Sequence, residues 1–369
     1  MSTAQRYDVI VIGAGPAGST AALRLAEAGF SVLLMEREPL PREKPCGGGL
    51  TPKAWPLLPV AIDDLVLNRA DAVRVHAGRG VSARFRARHW AIWMVRRPEL
   101  DLRLAREAAR RGADLHEGET FRTLDREGGL CVVSGNASYR ARVVIGADGA
   151  ESRVARLLGL PRPSRWMVAL ETEVEVEGDP LAGEAIVDLG IPHGYAWVFP
   201  KGRLYNVGLG TFHPGRTREL RWRFRRFVED TGLFANRTLA PVGHRIPTGL
   251  PPGPLHRDNV LLVGDAAGVA DPYFGEGISY ALLTAHLASD AVVEYLTGRS
   301  RDLSHYSRRV KAALGADMRL WRLAAAALHR CPGLALRILD ASDALQARVE
   351  RTIAGESGFC RHWRGEDAR

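Results

Sequence analysis

Gly13, Gly15 and Gly18 are spaced as GxGxxG where an apolar run, "DVIVI", gives way to "AALRLAEA". That spacing suits a strand-to-helix turn whose backbone approaches a pyrophosphate, with the free N–H groups and positive dipole end of the helix facing the charge. Glu36 closes a second apolar run, "SVLLME", at about the twenty-residue separation at which a carboxylate meets the hydroxyls of an adenosine ribose. Arg37 follows it and joins the candidate ligand contacts. Strand, glycines, helix, second strand and acid stand in register, so this segment reads as a dinucleotide-binding βαβ unit.

Two further groups could act on a substrate. In "REKPCGGGLTP", Cys46 precedes Gly47, Gly48 and Gly49. A thiol is protonated at neutral pH and can serve as an acid, and glycine neighbours let the backbone pass close to a ligand. The plainer alternative is a small loop residue. In "GYAWVFPKG", Tyr195, Trp197 and Phe199 alternate, which puts three rings on one face of a strand. Such a face is either a binding wall or ordinary sheet core.

Composition narrows the classes. With 369 residues, 46% of them hydrophobic, the chain can bury two moderate cores, and two lobes are expected. Cys46, Cys131, Cys331 and Cys360 form no CxxC pair, which argues against a metal site or a disulfide scaffold and fits a reducing cytosol. Only "MSTAQRY" precedes the first apolar run, and no stretch reaches the roughly 18 apolar residues of a membrane span, so a cytoplasmic protein is expected. The net charge of +9 suits an anionic substrate, an acidic redox partner, the inner face of an anionic membrane, or an arginine-rich genome. No zinc-finger spacing, RNP motif or basic tail accompanies it, so no nucleic-acid partner is expected.

The elements that position these residues make an α/β chain. After the βαβ unit, a proline- and glycine-rich loop runs from 37 to about 56, strand-like pieces follow near 73 to 94, and a helix extends from about Pro98 to Arg111. "RVVIGADGAESRVARLLGL" is another strand, turn and helix. Alternating segments from about 164 to 248 suggest an antiparallel sheet with one buried face. "NVLLVGDAAG" returns to the first pattern and leads into a long helix near Glu276, and from 302 onward the chain reads as helix broken at "CPG". The expected division is a discontinuous Rossmann-like lobe of 1–75, 95–162 and 250–300, a second lobe of 76–94 and 163–249, and a helical region of 301–369.

"GADGAESRVAR" and "LLVGDAAGVADPYFGEGISYA" resemble the DG and GD motifs of the FAD-dependent aromatic-hydroxylase-like superfamily. The resemblance implies FAD as cofactor, with Asp148 at the DG motif, Asp265 on the ribityl chain, and Gly275 and Gly277 leading to a helix start that faces the flavin. Arg97, opening an R-x-x-L-D-x-x-L helix with Leu100, Asp101 and Leu104, is implied to lie near the cofactor. "KPCGGGL" and "PHGYAWVFPKG" resemble the P-C-G-G and P-x-x-Y-x-W-x-F-P patterns of the geranylgeranyl reductase family. The likeness runs from about residue 7 to about 300.

That family resemblance implies an FAD-binding lobe, an antiparallel-sheet substrate lobe with a tunnel between the two, and reduction of carbon–carbon double bonds in a prenyl chain. Cys46 is then the candidate proton donor, and the Tyr195 and Trp197 faces can each stabilise developing positive charge by about 0.5–2 kcal/mol. Implied partners are a prenyl lipid or diphosphate and an external electron donor such as NADPH, ferredoxin or a flavin reductase. Lys44 and Arg42 are candidates for a diphosphate or phospholipid headgroup, solvated charges being the plainer reading. Tyr273 and Phe274 depart from the family by bulk that narrows the chamber. A flavin monooxygenase or halogenase acting on an aromatic or protein-borne tryptophan is the alternative, because "YAWVFP" partly matches a halogenase stretch. A non-catalytic prenyl-binding escort is the third reading, disfavoured by the complete set of cofactor residues.

Overall fold

The computed structural model describes residues 5–355 except 79, 88–90, 164, 214–216, 235–236 and 238; Cys360 lies outside the described residues. The first lobe is built on a parallel sheet of β1 (Gln5–Ile12), β2 (Val32–Glu36), β8 (Asp114–Glu117), β11 (Ser138–Gly146) and β18 (Val260–Leu262). Strand β17 (His256–Arg257) and the hairpin of β9 (Thr123–Glu127) and β10 (Leu130–Ser134) add antiparallel edges. The strand order β17-β18-β11-β1-β2-β8 puts β1 at the centre, and its Val9, Ile10 and Val11 are fully buried because helices cover both sheet faces. Helix α1 (Pro16–Glu27) packs small residues against α5 (Ile278–Leu296) and α2 (Arg97–Arg110). The short α3 (Arg153–Leu157) follows β11.

The second lobe is a seven-stranded sheet ordered β16-β12-β15-β14-β13-β5-β6. Its members are β5 (Ala72–His76), β6 (Ser82–Arg86), β12 (Arg165–Glu175), β13 (Ala185–Asp188), β14 (Gly194–Lys201), β15 (Leu204–Thr211) and β16 (Val242–Thr248). Pairing is antiparallel except between β13 and β5, and the sheet begins at Ala72, inside the span expected for the first lobe. One face is covered by α4 (Thr217–Thr231), a helix that the alternating pattern around it did not announce. Leu220, Phe224 and Phe227 of α4 meet Leu170, Val198 and Val207 there. A small sheet of β3 (Gly49–Leu50), β7 (Ile92–Met94) and β4 (Asn68–Ala70) joins the lobes.

Helix α6 (Ser304–Arg330) starts in the core of the first lobe, where buried Tyr306 donates its hydroxyl to Leu262 O at 2.6 Å. It ends over the second sheet, with Trp321, Ala325 and Leu328 packed beside Trp197. Two breaks follow instead of one, at Cys331 and at Ala341–Ser342, setting off α7 (Pro332–Asp340) and α8 (Asp343–Ile353). No described helix is long and apolar enough to cross a membrane.

One buried side chain sets an acid limit on this fold. His286 of α5 is 5% exposed, and its Nε2 lies 2.9 Å from Leu57 O. Burial, with help from the Arg24 charge, pushes its pKa from 6.5 down to about 4. As pH falls below 6.5 the unfolded chain takes up a proton that the folded chain refuses until about pH 4, so the stability present at neutral pH is lost across that window. At about pH 5 the loss from this one group is about 2 kcal/mol. His286→Gln keeps a donor for Leu57 O and removes the titration; urea unfolding at neutral pH and at about pH 5 should show the variant losing correspondingly less stability than the parent.

Candidate functional site

A cavity of about 930 Å³ lies between the lobes, running from the glycine turn to the underside of α7 and α8. Gly13, with φ of 104°, closes the turn: a Cβ there would stand 2.4 Å from Ala147 O. Gly18 is not at the cavity. A Cβ on it would fall 1.8 Å from Gly13 O and 3.0 Å from Ala147 Cβ, so it lets helix pack on strand instead of meeting a ligand. Gly15 faces the open side, with the Arg97 and Arg42 guanidinium groups as its nearest neighbours at 3.8 and 3.9 Å from a built Cβ. No side chain caps α1, whose amino end therefore keeps its N–H groups available to an anion.

Those two arginines are held by Asp101, whose side chain is fully buried. Arg97 grips it through two 2.8 Å bonds and Arg42 through one of 3.1 Å, with a second Arg42 bond of 3.2 Å to Glu36. Burial opposes the charge on Arg97, but Asp101 outweighs it and holds the guanidinium firmly protonated. Arg42 is thus committed to Glu36 and Asp101 and not free in solvent. Glu36 also accepts the Ala14 N–H at 2.9 Å and lies at the rim of the cavity. Arg37 lines the same rim, but its side chain is 74% exposed and pairs with Glu38. The Asp148 carboxylate is consumed locally, taking Ser152 Oγ at 2.6 Å and the N–H groups of Arg153 and Val154 at the start of α3. Asp265 lies at the other end of the same cavity, 3.4 Å from a Cβ built on Gly277 at the amino end of α5, where Glu276 accepts the Ser279 N–H at 2.8 Å. Gly275, with φ of 67°, completes this turn, and the helix starts at Ile278, two residues later than expected. Two helix starts, one of them uncapped, a guanidinium pair and a buried acid along one cavity are a set of groups that fits the pyrophosphate, ribose and flavin ends of FAD.

Across the cavity, Tyr195, Trp197 and Phe199 share the face of β14 that looks away from α4. Their orientation is fixed: Tyr195 donates its hydroxyl to Phe274 O, and Trp197 Nε1 donates to Asn206 Oδ1 at 2.7 Å. Gly208 on the neighbouring strand makes room for the indole, since a Cβ there would lie 2.3 Å from Trp197 Cζ2. Tyr273 and Phe274 pack against Trp321 of α6 and narrow this part of the chamber. The Cys46 loop closes the corner between the lobes. Gly48, with φ of 72°, approaches Val95 O so closely that a Cβ would stand 2.0 Å away, and its N–H reaches Cys46 Sγ at 3.4 Å.

The structure adds groups that the sequence reading passed over. Glu171 of β12 lines the cavity at 5% exposure, and burial pushes its carboxyl up to about 7 against the pull of Lys201, the Cys46 N–H, Lys44 and Asn206. His244 of β16 also lines it, and burial, with Lys44 and Arg97 nearby, lowers it to about 4. Asp271 accepts the N–H groups of Tyr273 and Phe274 at 2.8 and 2.7 Å, and burial raises it to about 6. The signal for Glu171 was present in "MVALETEVEVEG", where the acids share parity with Met167 and Ala169; alternation alone does not say which face is buried.

A dinucleotide turn opening into an apolar, aromatic-walled chamber is the arrangement of an FAD-dependent oxidoreductase. Residues 6–188 match the FAD binding domain model. The chain is 32% identical over 313 residues to the geranylgeranyl diphosphate reductase of Rhodobacter capsulatus, covering 81% of this chain and 78% of that one. It is 34% identical over 341 residues to digeranylgeranylglycerophospholipid reductase 2 of Methanothermobacter thermautotrophicus, covering 85% of each. The chain belongs to the geranylgeranyl reductase family of FAD-dependent oxidoreductases. The structure of a geranylgeranyl bacteriochlorophyll reductase-like protein from Thermoplasma acidophilum superposes with a TM-score of 0.84 at 25% identity over 98% of both chains. A flavin-dependent brominase shares the fold alone, with a TM-score of 0.78 at 20% identity, covering 97% of this chain and 96% of that one.

Gly208→Ala tests the division of labour between the two walls. The new methyl must displace the indole, so a loss of about 1–3 kcal/mol is expected. It should appear as a lowered melting temperature with FAD content unchanged, because the substitution lies on the sheet opposite the dinucleotide turn.

Proposed function

We propose that this protein saturates carbon–carbon double bonds of a prenyl chain. The observation that carries the reading is the length and apolar character of the chamber beyond the cofactor side, which continues from Trp197 past Val187 and Trp321 to Leu336 and Ile353. A polyprenyl chain needs such a conduit, and burying it gains about 25 cal/mol for each Å² of apolar surface removed from water. A monooxygenase acting on a single aromatic ring has no use for that extension.

Adding hydrogen to an isolated double bond takes a hydride on one carbon and a proton on the other. Bound, reduced FAD supplies the hydride. Cys46 is assigned the proton, its thiol lying in the corner loop where the cofactor side meets the chamber, and giving it up leaves a thiolate. The indole of Trp197 and the ring of Tyr195, each locked by its own hydrogen bond, offer their faces to positive charge that develops on the carbon being protonated. Dryness is maintained by α6, whose Trp321 and Leu328 cover this face. Lys44, at the cavity edge, is assigned the polar end of the substrate. Exposed Leu323, Leu334 and Ile338, interspersed with Arg322, Arg330 and Arg337, support contact with an anionic membrane surface carrying the prenyl lipid. The electron donor is assigned only as an external reductant.

The test is anaerobic photoreduction of the FAD-loaded protein followed by stopped-flow mixing with geranylgeranyl diphosphate or a prenylated lipid. Flavin reoxidation with a product heavier by two hydrogens is expected, with Cys46→Ala lowering the rate by about 10²–10⁴ and Cys46→Ser by less. A reduced flavin that ignores prenyl chains and reacts only when oxygen and an aromatic substrate are supplied would move the assignment to the oxygen-using enzymes of this fold.

A further inference from the structure

The apolar part of the cavity has a direction that the strand order fixes. Trp197 of β14 pairs with Val187 of β13, and Val187 with Val75 of β5; two residues along β5, Val73 pairs with Phe85 of β6. All five line the cavity, so its floor is a trough that crosses the strands from β14 to β6, in three steps of about 4.8 Å each. On the other side of β14 the cover is different. The segment from Asp271 to Gly275 crosses there, and a Cβ built on Gly275 stands 3.1 Å from Met167 Sδ of β12 and 3.3 Å from Ile246 Cδ1 of β16. Phe274, half-buried, faces the cavity from the edge of that segment. Its ring meets Tyr195 edge-on at 5.7 Å and Trp321 of α6 edge-on at 6.1 Å, with Tyr273 beside it at 4.3 Å. Floor, roof and crossing segment converge on this one ring. The segment that carries it is tied down. The buried Asp271 side chain accepts the N–H groups of Tyr273 and Phe274 at 2.8 and 2.7 Å, Tyr195 donates its hydroxyl to Phe274 O, and the Gly275 N–H donates to Asp271 O at 3.1 Å.

We propose that Phe274 is the end stop of the trough and sets which double bonds of a bound chain reach the reacting position. The proposal rests on the prenyl-reductase reading for the chemistry, while the stop itself is a property of the cavity. A chain lying over Val75 and Val187 comes next to Trp197 and Tyr195 and there meets the Phe274 ring. It advances no further, because behind the ring Gly275 is packed on Met167 and Ile246. The units near the leading end are therefore the ones held against the aromatic wall, and those further back stay in the trough. Truncating the ring removes the stop and leaves its anchors, since Asp271 and Tyr195 hold Phe274 through its backbone. The volume set free lies between Tyr195 and Trp321, and a chain advances into it by the depth of a ring. A larger ring at the same place stops the chain earlier.

Two measurements on the full-length FAD-loaded protein decide it. In the oxidised protein, where no turnover occurs, calorimetric binding of straight-chain saturated alcohols of increasing length should show affinity rising about fourfold per methylene and then levelling off where the chain meets the stop. Phe274→Ala and Phe274→Leu should move that break to longer chains and Phe274→Trp to shorter ones, all with the FAD content of the parent. A break at the same length in every variant, or none in the parent, would overturn the stop. With geranylgeranyl diphosphate and excess dithionite in the absence of oxygen, the final product mass counts the bonds saturated. The parent should halt short of full reduction and Phe274→Ala should go at least one bond further; the same final mass for both would overturn the role in selectivity. A break that moves with the Phe274 side chain in a protein whose parent reduces no prenyl chain sinks the reductase reading and leaves the stop standing. A parent that reduces prenyl chains, with break and products indifferent to Phe274, does the reverse.

Discussion

Asp101 is the constraint on which the cofactor side depends. A fully buried carboxylate is costly to desolvate, and it is tolerated here because two guanidinium groups close on it. The same pairing determines what those arginines can do: with their charge fixed and their stems packed, they stand over Gly15 before any ligand arrives, so an anion meets positive potential that needs no rearrangement. Remove the carboxylate and Arg97 loses both its anchor and its counter-charge, while Arg42 is left with Glu36 alone. The glycine turn would survive, but its polarity would be disordered.

The second lobe answers to a different constraint, the need for one sheet to serve two environments. Toward α4 it presents Leu170, Val174, Val198 and Val207, an ordinary hydrophobic face. Toward the cavity it presents aromatics held by hydrogen bonds, a glycine that gives the indole room, and at the centre an acid. A carboxyl can occupy that face because burial raises it to about 7, so it can be carried there in its neutral form.

Much of the first lobe was legible because its signals are local. The glycine turn, the acid at the end of β2 and the helix starts at Arg97 and near Gly277 each follow from spacing within a short segment. What escaped was set by tertiary contact. Glu36, Arg42 and Asp101 read as three separate charges in the sequence and form one network only when α2 lies beside the turn. Gly18 read as a ligand contact because its motif contains contacts, whereas its place is fixed by helix packing. The acids of β12 drew no role because alternation reports two faces without saying what lies on either. Helix α4 went unread for a related reason: its arginines are as many as its apolar residues, and the stripe formed by Leu220, Phe224 and Phe227 is narrow.

Helix α6 has a mechanical meaning. At 27 residues it is a rod of about 40 Å, seated at one end in the core of the first lobe and at the other on the aromatic wall. Floor and ceiling of the chamber are therefore coupled through a single stiff element, and lifting the ceiling by tilting α6 would pull Tyr306 from its bond beneath β18. The break at Cys331–Pro332 relieves that coupling, since α7 and α8 beyond it line the far end of the chamber without reaching the core of the first lobe. The far end of the chamber is thus bounded by elements that can shift without disturbing the aromatic wall or the core beneath it.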